Sequence, residues 1–418
     1  MNICDVIIVG GGPAGSIAGY ALAKNNLKTL VIDQSLFPRR KVCGGGLTYH
    51  ALNQIPFDIS EVIHQEVCSG QIGFRGHLIK AIHDKKPIAY TIDRETFDYF
   101  LLDKAVESGV VTRLESRVRA VTEQKDFIQV QTNQETFFGK YLIGADGVHS
   151  TVARQMGMME NRPTSLAYEA RLSREPSNTL SQPEMINFDF GTIPFGYGWI
   201  FPKRDHLNVG VCRTWPWKKA SKTHLLRFID QHPTLHRDKI IDIRAFPVPL
   251  GGKKSNLHKN NIMLVGDAAN LADPWLGEGL YYALYSGRLA AETIIKHLNG
   301  DVFDLAAYTK NINEICVNQF SYARRFSFLV NALPYINVML IKSSTSLQQI
   351  VIDLLRGDQT YQQAWLSLVN LPSKFILGKL KRKNQLVKQQ FPGKNCQGIL
   401  SINLSDQFIF SYRARSVL

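Results

Sequence analysis

Asp5-Val6-Ile7-Ile8-Val9-Gly10-Gly11-Gly12-Pro13-Ala14-Gly15 decides the fold. Val6–Val9 is a wholly apolar, β-branched run of the kind that forms a buried parallel strand. An Ala-rich helix follows to Lys24, and a second buried run, Thr29-Leu30-Val31-Ile32, ends at Asp33. Strand, glycine turn, helix, strand and acid arrive in the order of a dinucleotide-binding βαβ unit. Gly10 permits the tight turn, Gly12 lets backbone approach a pyrophosphate, and Gly15 lets helix and sheet pack closely. Pro13 and Ala14 open the helix, whose free N–H groups face the anion. Asp33, eighteen residues beyond Gly15, can accept from ribose hydroxyls.

Outward from that unit, the 418 residues suffice for two domains and need no staples for a core. The net charge is +14, and the stretch from Leu371 to the end carries nine Lys/Arg against one acid. Six scattered cysteines with no C-x-x-C and no metal-like spacing read as reduced thiols in a cytosolic setting. No signal peptide precedes Asp5, and no stretch is long and apolar enough to span a bilayer. Phe326–Ile341 comes closest and is broken by Asn331, Pro334 and Asn337.

After Asp33, Arg39-Arg40-Lys41 precede Val42-Cys43-Gly44-Gly45-Gly46-Leu47: a loop that wraps an anionic cofactor, or a solvated basic loop. Residues 60–92 read as partly stranded. Asp93-Arg94 opens an amphipathic helix, with Arg94 either a pyrophosphate ligand or a surface ion-pair partner. Strands follow near Arg117–Val121 and Phe127–Thr132, and Tyr141–Gly144 runs into Ala145-Asp146-Gly147. From Tyr168 to Val248 alternation and aromatics predict an antiparallel sheet, with a hairpin around Pro202–Asp205. Asn261–Val265 is a strand ending in Gly266-Asp267, and a long helix follows Gly277-Glu278-Gly279-Leu280. Everything beyond Gly300 looks helical to about Pro372.

Val9-Gly10, Ala145-Asp146-Gly147 and Val265-Gly266-Asp267 each put Gly or Asp just past a buried strand, where doubly wound sheets bind ligands. Together they resemble the flavoprotein hydroxylase superfamily, over about 300 residues. The resemblance implies FAD, with Asp267 on a ribityl hydroxyl and Arg94 near the pyrophosphate or ribityl chain. It adds Val118 and Asp146 as cofactor contacts, and aims the helix opening at Gly277, Gly279 and Leu280 at the flavin carbonyl edge. It also implies an α/β fold: a split Rossmann-like domain (1–60, 93–165, 255–300), an antiparallel-sheet substrate domain (61–92, 166–254), a helical region (301–372) and a basic tail (373–418).

Lys41–Leu47, Pro194-Phe195-Gly196-Tyr197-Gly198-Trp199-Ile200-Phe201-Pro202-Lys203 and Val209-Gly210 are similar to the geranylgeranyl reductase family, as are Asp273-Pro274, Gly277–Gly279 and Ser286-Gly287. Arg356-Gly357-Asp358 with Tyr361 matches more weakly, and Gly19 stands where the usual fingerprint has Ala. The resemblance implies saturation of isoprenoid double bonds by hydride from reduced flavin with a proton to the second carbon. Tyr197, Trp199 and Phe201 have strand spacing and so share one face, as a substrate wall or as ordinary packing. The resemblance puts the Cys43-Gly44-Gly45 turn at the flavin, with Cys43 an acid, a redox switch, a cofactor contact or an inert thiol.

No second nucleotide fingerprint exists for a nicotinamide, so the reductant is NADPH bound transiently or reduced ferredoxin docked on the basic surface. Lys374–Phe391 interleaves six cations with apolar residues; it lies on an anionic membrane, stays solvated, or docks an acidic electron donor. No nucleic-acid module is visible. Two other readings share the fold: a flavin monooxygenase or halogenase of an aromatic substrate, and a non-enzymatic prenyl-lipid carrier. Halogenases resemble the Trp-Ile-Phe-Pro segment, but have a second Trp where Tyr197 stands.

Overall fold

The strand Ile3–Val9 lies at the centre of an eight-stranded sheet. The order is His258–Lys259, Ile262–Leu264, Thr136–Gly144, Ile3–Val9, Thr29–Ile32 and Val111–Arg113, with the hairpin Val118–Glu123/Ile128–Thr132 added to Thr136–Gly144. The pairs from Ile262–Leu264 through Val111–Arg113 are parallel. Val6, Ile7 and Ile8 are fully buried, as the continuous apolar run requires of a strand covered on both faces. This computed structural model describes residues 3–158, 164–174, 185–214 and 219–370. Met1–Val369 forms one unit by contacts.

Register decides where the site lies. Val9 pairs with Gly144, and Gly144 pairs with Leu264. Gly10, Asp146 and Asp267, far apart in sequence, therefore emerge from the same carboxyl edge of one sheet. The helix Pro13–Ala23 packs against Leu280–Leu298 and Arg94–Glu107. Gly287 permits the first of these contacts, because a Cβ there would overlap the backbone of Ala14.

A second, seven-stranded sheet runs in the order Ile240–Pro249, Thr164–Ser173, His206–Arg213, Gly196–Pro202, Ile186–Phe190, Ser69–Phe74 and His77–His83. The antiparallel expectation needs one correction: Ile186–Phe190 pairs parallel with Ser69–Phe74, which arrives from elsewhere in the chain. The stretch 61–92 also divides. Ser69–Phe74 and His77–His83 join this sheet, whereas Ile63–Val67 and Ala89–Ile92 form a three-stranded sheet with Gly46–Thr48. Antiparallel pairing of Gly46–Thr48 with Ala89–Ile92 pulls those strands away from the larger sheet.

Side-chain alternation gives the second sheet two different faces. Ile200, Val209 and Val211 pack under Leu225, Phe228 and Ile229 of the helix Lys222–Gln231. Tyr197, Trp199 and Phe201 point the other way, with Phe188 beside them. Helices from Ala306 to Val369 flank this side, and Arg356 ties them to the second sheet's edge through Asp84 at 3.0 Å. No single helix among the described residues is long and apolar enough to cross a membrane. The basic tail falls outside the described residues.

Candidate functional site

A cavity of about 860 Å³ opens at the carboxyl edge of the first sheet and extends along the aromatic face of the second. Gly10, Gly12, Pro13 and Ala14 of the glycine turn line it. Gly10 has φ +108°, and a Cβ there would overlap the Ala145 carbonyl. Gly12 is different: its φ is −75°, and a Cβ there would stand 3.4 Å from Arg39 Nη2 with nothing closer. Gly15 and Gly266 do not reach the cavity. Gly15 lets the helix cross the Gly10 carbonyl, and Gly266 donates its N–H to Ser286 Oγ at 2.9 Å.

Asp33 lines the cavity, but its carboxylate already accepts from Gly11 N at 2.7 Å and Ser35 N at 2.8 Å. It organises the turn. Asp146 Oδ2 accepts from Thr151 N and Val152 N at a helix start, while Oδ1 is buried without a partner among the described residues. Burial pushes the Asp146 carboxyl up, against those hydrogen bonds. Val118 and Asp267 also line the cavity, as do Gly277, Gly279 and Leu280 at the start of the long helix. The Gly279 cap carries no side-chain hydrogen bond, so that helix end is open to an acceptor.

Arg94 is buried, and its guanidinium forks onto Asp98, Nε to Oδ1 at 2.6 Å and Nη2 to Oδ2 at 2.8 Å. Burial works against the charge, but Asp98 overrides it and holds Arg94 above its usual range. Arg39 meets the same carboxylate at 3.2 Å. Of the two roles weighed for Arg94, the structure shows the ion pair, buried with Asp98 rather than at the surface. Lys41 lies over the Phe246 ring at 2.9 Å, and burial pulls its ammonium down to about 8 despite attraction to Asp267. The basic loop is thus folded into the cavity wall.

The Cys43-Gly44-Gly45 turn faces the aromatic strand. Cys43 N donates to Glu169 Oε2 at 2.7 Å, and Asn208 Nδ2 to the Cys43 carbonyl at 3.2 Å. A Cβ on Gly44 would sit 3.0 Å from Trp199 Nε1. Tyr197 donates its hydroxyl to the Leu276 carbonyl, and Trp199 Nε1 donates to Asn208 Oδ1 at 2.8 Å. Both polar handles are tied back into protein, which leaves ring faces for the cavity. Sequence reasoning did not place Asp98, Glu169 or Glu278. Asp98 sits four residues after Arg94 on one helix, a spacing that pairs such charges; Glu169 carried no local signal.

Fit to a dinucleotide rests on these features: a helix start at Gly12 with space above it, the Arg39 guanidinium beside it, Arg94 on the same cavity wall, and an unpartnered Asp146 oxygen. Fold and site define a flavoprotein oxidoreductase. The chain belongs to the FAD binding domain family, whose model matches residues 3–311, and is an FAD-dependent enzyme of the geranylgeranyl reductase group. It is 36% identical to an uncharacterized protein of Methanosarcina barkeri over 73% of this chain and 78% of that one. It is 30% identical to a digeranylgeranylglycerophospholipid reductase of Thermoplasma acidophilum, over 75% and 84%. A geranylgeranyl bacteriochlorophyll reductase-like protein from Thermoplasma acidophilum superposes with a TM-score of 0.71 at 25% identity, covering 91% of this chain and 99% of its own.

Proposed function

We propose that this protein saturates double bonds of an isoprenoid chain carried on a lipid, diphosphate, quinone or chlorophyll-type head. One observation carries the reading: the aromatic face of Tyr197, Trp199 and Phe201 shares a single cavity with the dinucleotide cradle. A prenyl chain offers no hydrogen bonds, so its site needs apolar walls whose polar atoms are satisfied elsewhere. Tyr197 and Trp199 meet that condition through Leu276 and Asn208. Ile186, Phe188, Leu354 and Leu355 extend the apolar lining.

FAD, when bound, supplies the two-electron reduction. The protein's part is to hold the chain against that centre and keep water away. The glycine turn and the uncapped Leu280–Leu298 helix start receive the cofactor's anionic groups. Electrons enter from NADPH or reduced ferredoxin, and membrane contact runs through the basic tail.

The test is anaerobic. Dithionite-reduced protein mixed with a digeranylgeranyl glycerophospholipid is expected to reoxidise its flavin, with product heavier by two hydrogens per turnover. A flavin that stays reduced until air is admitted would overturn the reading in favour of oxygen chemistry.

A further inference from the structure

Reduction of an isolated alkene needs a proton as well as two electrons, and several proton-bearing groups, Cys43 among them, line this cavity. Tyr197 has its hydroxyl on the Leu276 carbonyl, and burial drives it well above its ordinary range. Lys203 is committed to the carbonyls of Gly45 at 2.9 Å and Ile92 at 2.7 Å. Lys41 has its ammonium over the Phe246 ring, and burial pulls it down to about 8 despite attraction to Asp267. Glu169 has both carboxyl oxygens occupied, Oε2 by Cys43 N and Oε1 by Arg40, although burial pushes its carboxyl up.

Glu278 differs from all of these. It lines the cavity between Gly277 and Gly279. Its Oε1 accepts from Thr48 Oγ1 at 2.6 Å, and Oε2 has no hydrogen-bond partner among the described residues. The loop borders the aromatic wall: a Cβ on Gly277 would stand 3.6 Å from the Tyr197 hydroxyl. Glu278 therefore stands at the seam between cofactor cradle and substrate wall.

We propose that Glu278 is the acid that protonates the second alkene carbon, an assignment that rests on the isoprenoid-reductase reading. The alkene π bond opens; one carbon takes hydride from reduced FAD, and the other takes the Glu278 proton. The products are a saturated C–C bond, oxidised FAD and a Glu278 carboxylate, which regains its proton from water. The protonation state suits that role, because burial pushes this carboxyl up to about 7, opposed by the Thr48 hydrogen bond and assisted by Asp273. The ionisable groups around it are Asp273, Tyr281, Tyr282 and Tyr361, with the His50 ring tilted against Tyr281. No cation is among the groups that act on Glu278.

Glu278→Gln keeps an acceptor for Thr48 and removes the proton, and Glu278→Asp restores a shorter acid. Infrared difference spectra, with and without FAD, are expected to show a protonated-carboxyl stretch that disappears near neutral pH and is missing from E278Q. Its absence from the wild type overturns the proposal whatever the substrate. In anaerobic single turnovers with the same glycerophospholipid at saturating FAD, E278Q is expected to slow reduction by about 100-fold or more. It is also expected to lose the fall in rate above neutral pH, with partial recovery in E278D. A wild-type rate and pH profile in E278Q overturns the assignment of the acid alone. A wild type that reduces no prenyl lipid overturns the underlying reading.

Discussion

Lys203 Nζ donates to the main-chain carbonyl of Gly45 at 2.9 Å, across 158 residues of sequence, and is almost wholly buried. The same ammonium reaches Ile92 O at 2.7 Å, so one side chain from the second sheet clamps the Cys43–Gly45 turn to the strand before the Arg94 helix. Lys203→Met removes a donor that buried carbonyls rely on. It is expected to lower stability by about 1–3 kcal/mol in urea unfolding, and to loosen the turn enough to weaken FAD retention on a desalting column.

Two glycines two residues apart make opposite predictions. Gly12→Ala meets only Arg39 within 4 Å, so stability without FAD should stay within about 0.5 kcal/mol of wild type. FAD affinity, read by fluorescence titration, should fall about tenfold or more, about 1.4 kcal/mol, because the Cβ stands where a pyrophosphate approaches. Gly10→Ala has a left-handed φ and an overlap with Ala145, so it should lose folded yield outright.

Asp98 is fully buried between two guanidinium groups, Arg94 and Arg39. Asp98→Ala strands the Arg94 charge inside the protein. The expected cost is about 3–5 kcal/mol by chemical denaturation, much larger than for an exposed pair such as Lys104–Glu107. A loss below about 1 kcal/mol would mean that water reaches Arg94.

Asp273 carries a pH signature. Burial raises its carboxyl from 3.8 to about 6, against hydrogen bonds from Tyr361 and the amides of Trp275 and Leu276. Between those values the folded state holds more protons than the unfolded chain, so this group's stabilisation is full below about 3.8 and is lost as pH rises through about 6. Asp273→Asn mimics the protonated form. Relative to wild type it should gain on the order of 2–3 kcal/mol in unfolding free energy across that window. A constant difference across the window would rule out the titration.

The local physics of the chain determined the fold class and much of the site. A β-branched run, a glycine turn and an Ala-rich helix admit one local arrangement, and strand spacing alone puts Tyr197, Trp199 and Phe201 on one face. Only the tertiary structure decided which partners those residues keep. The parallel register that aligns Val9, Gly144 and Leu264 depends on long-range pairing, which no local pattern encodes. The pairing of Ile186–Phe190 with Ser69–Phe74 is of the same kind. Burial likewise turned Arg94 from a helix-mouth cation into the partner of Asp98, and put Glu278 on the cavity wall. Charge and proton affinity follow desolvation, and desolvation is set by segments far away in the chain.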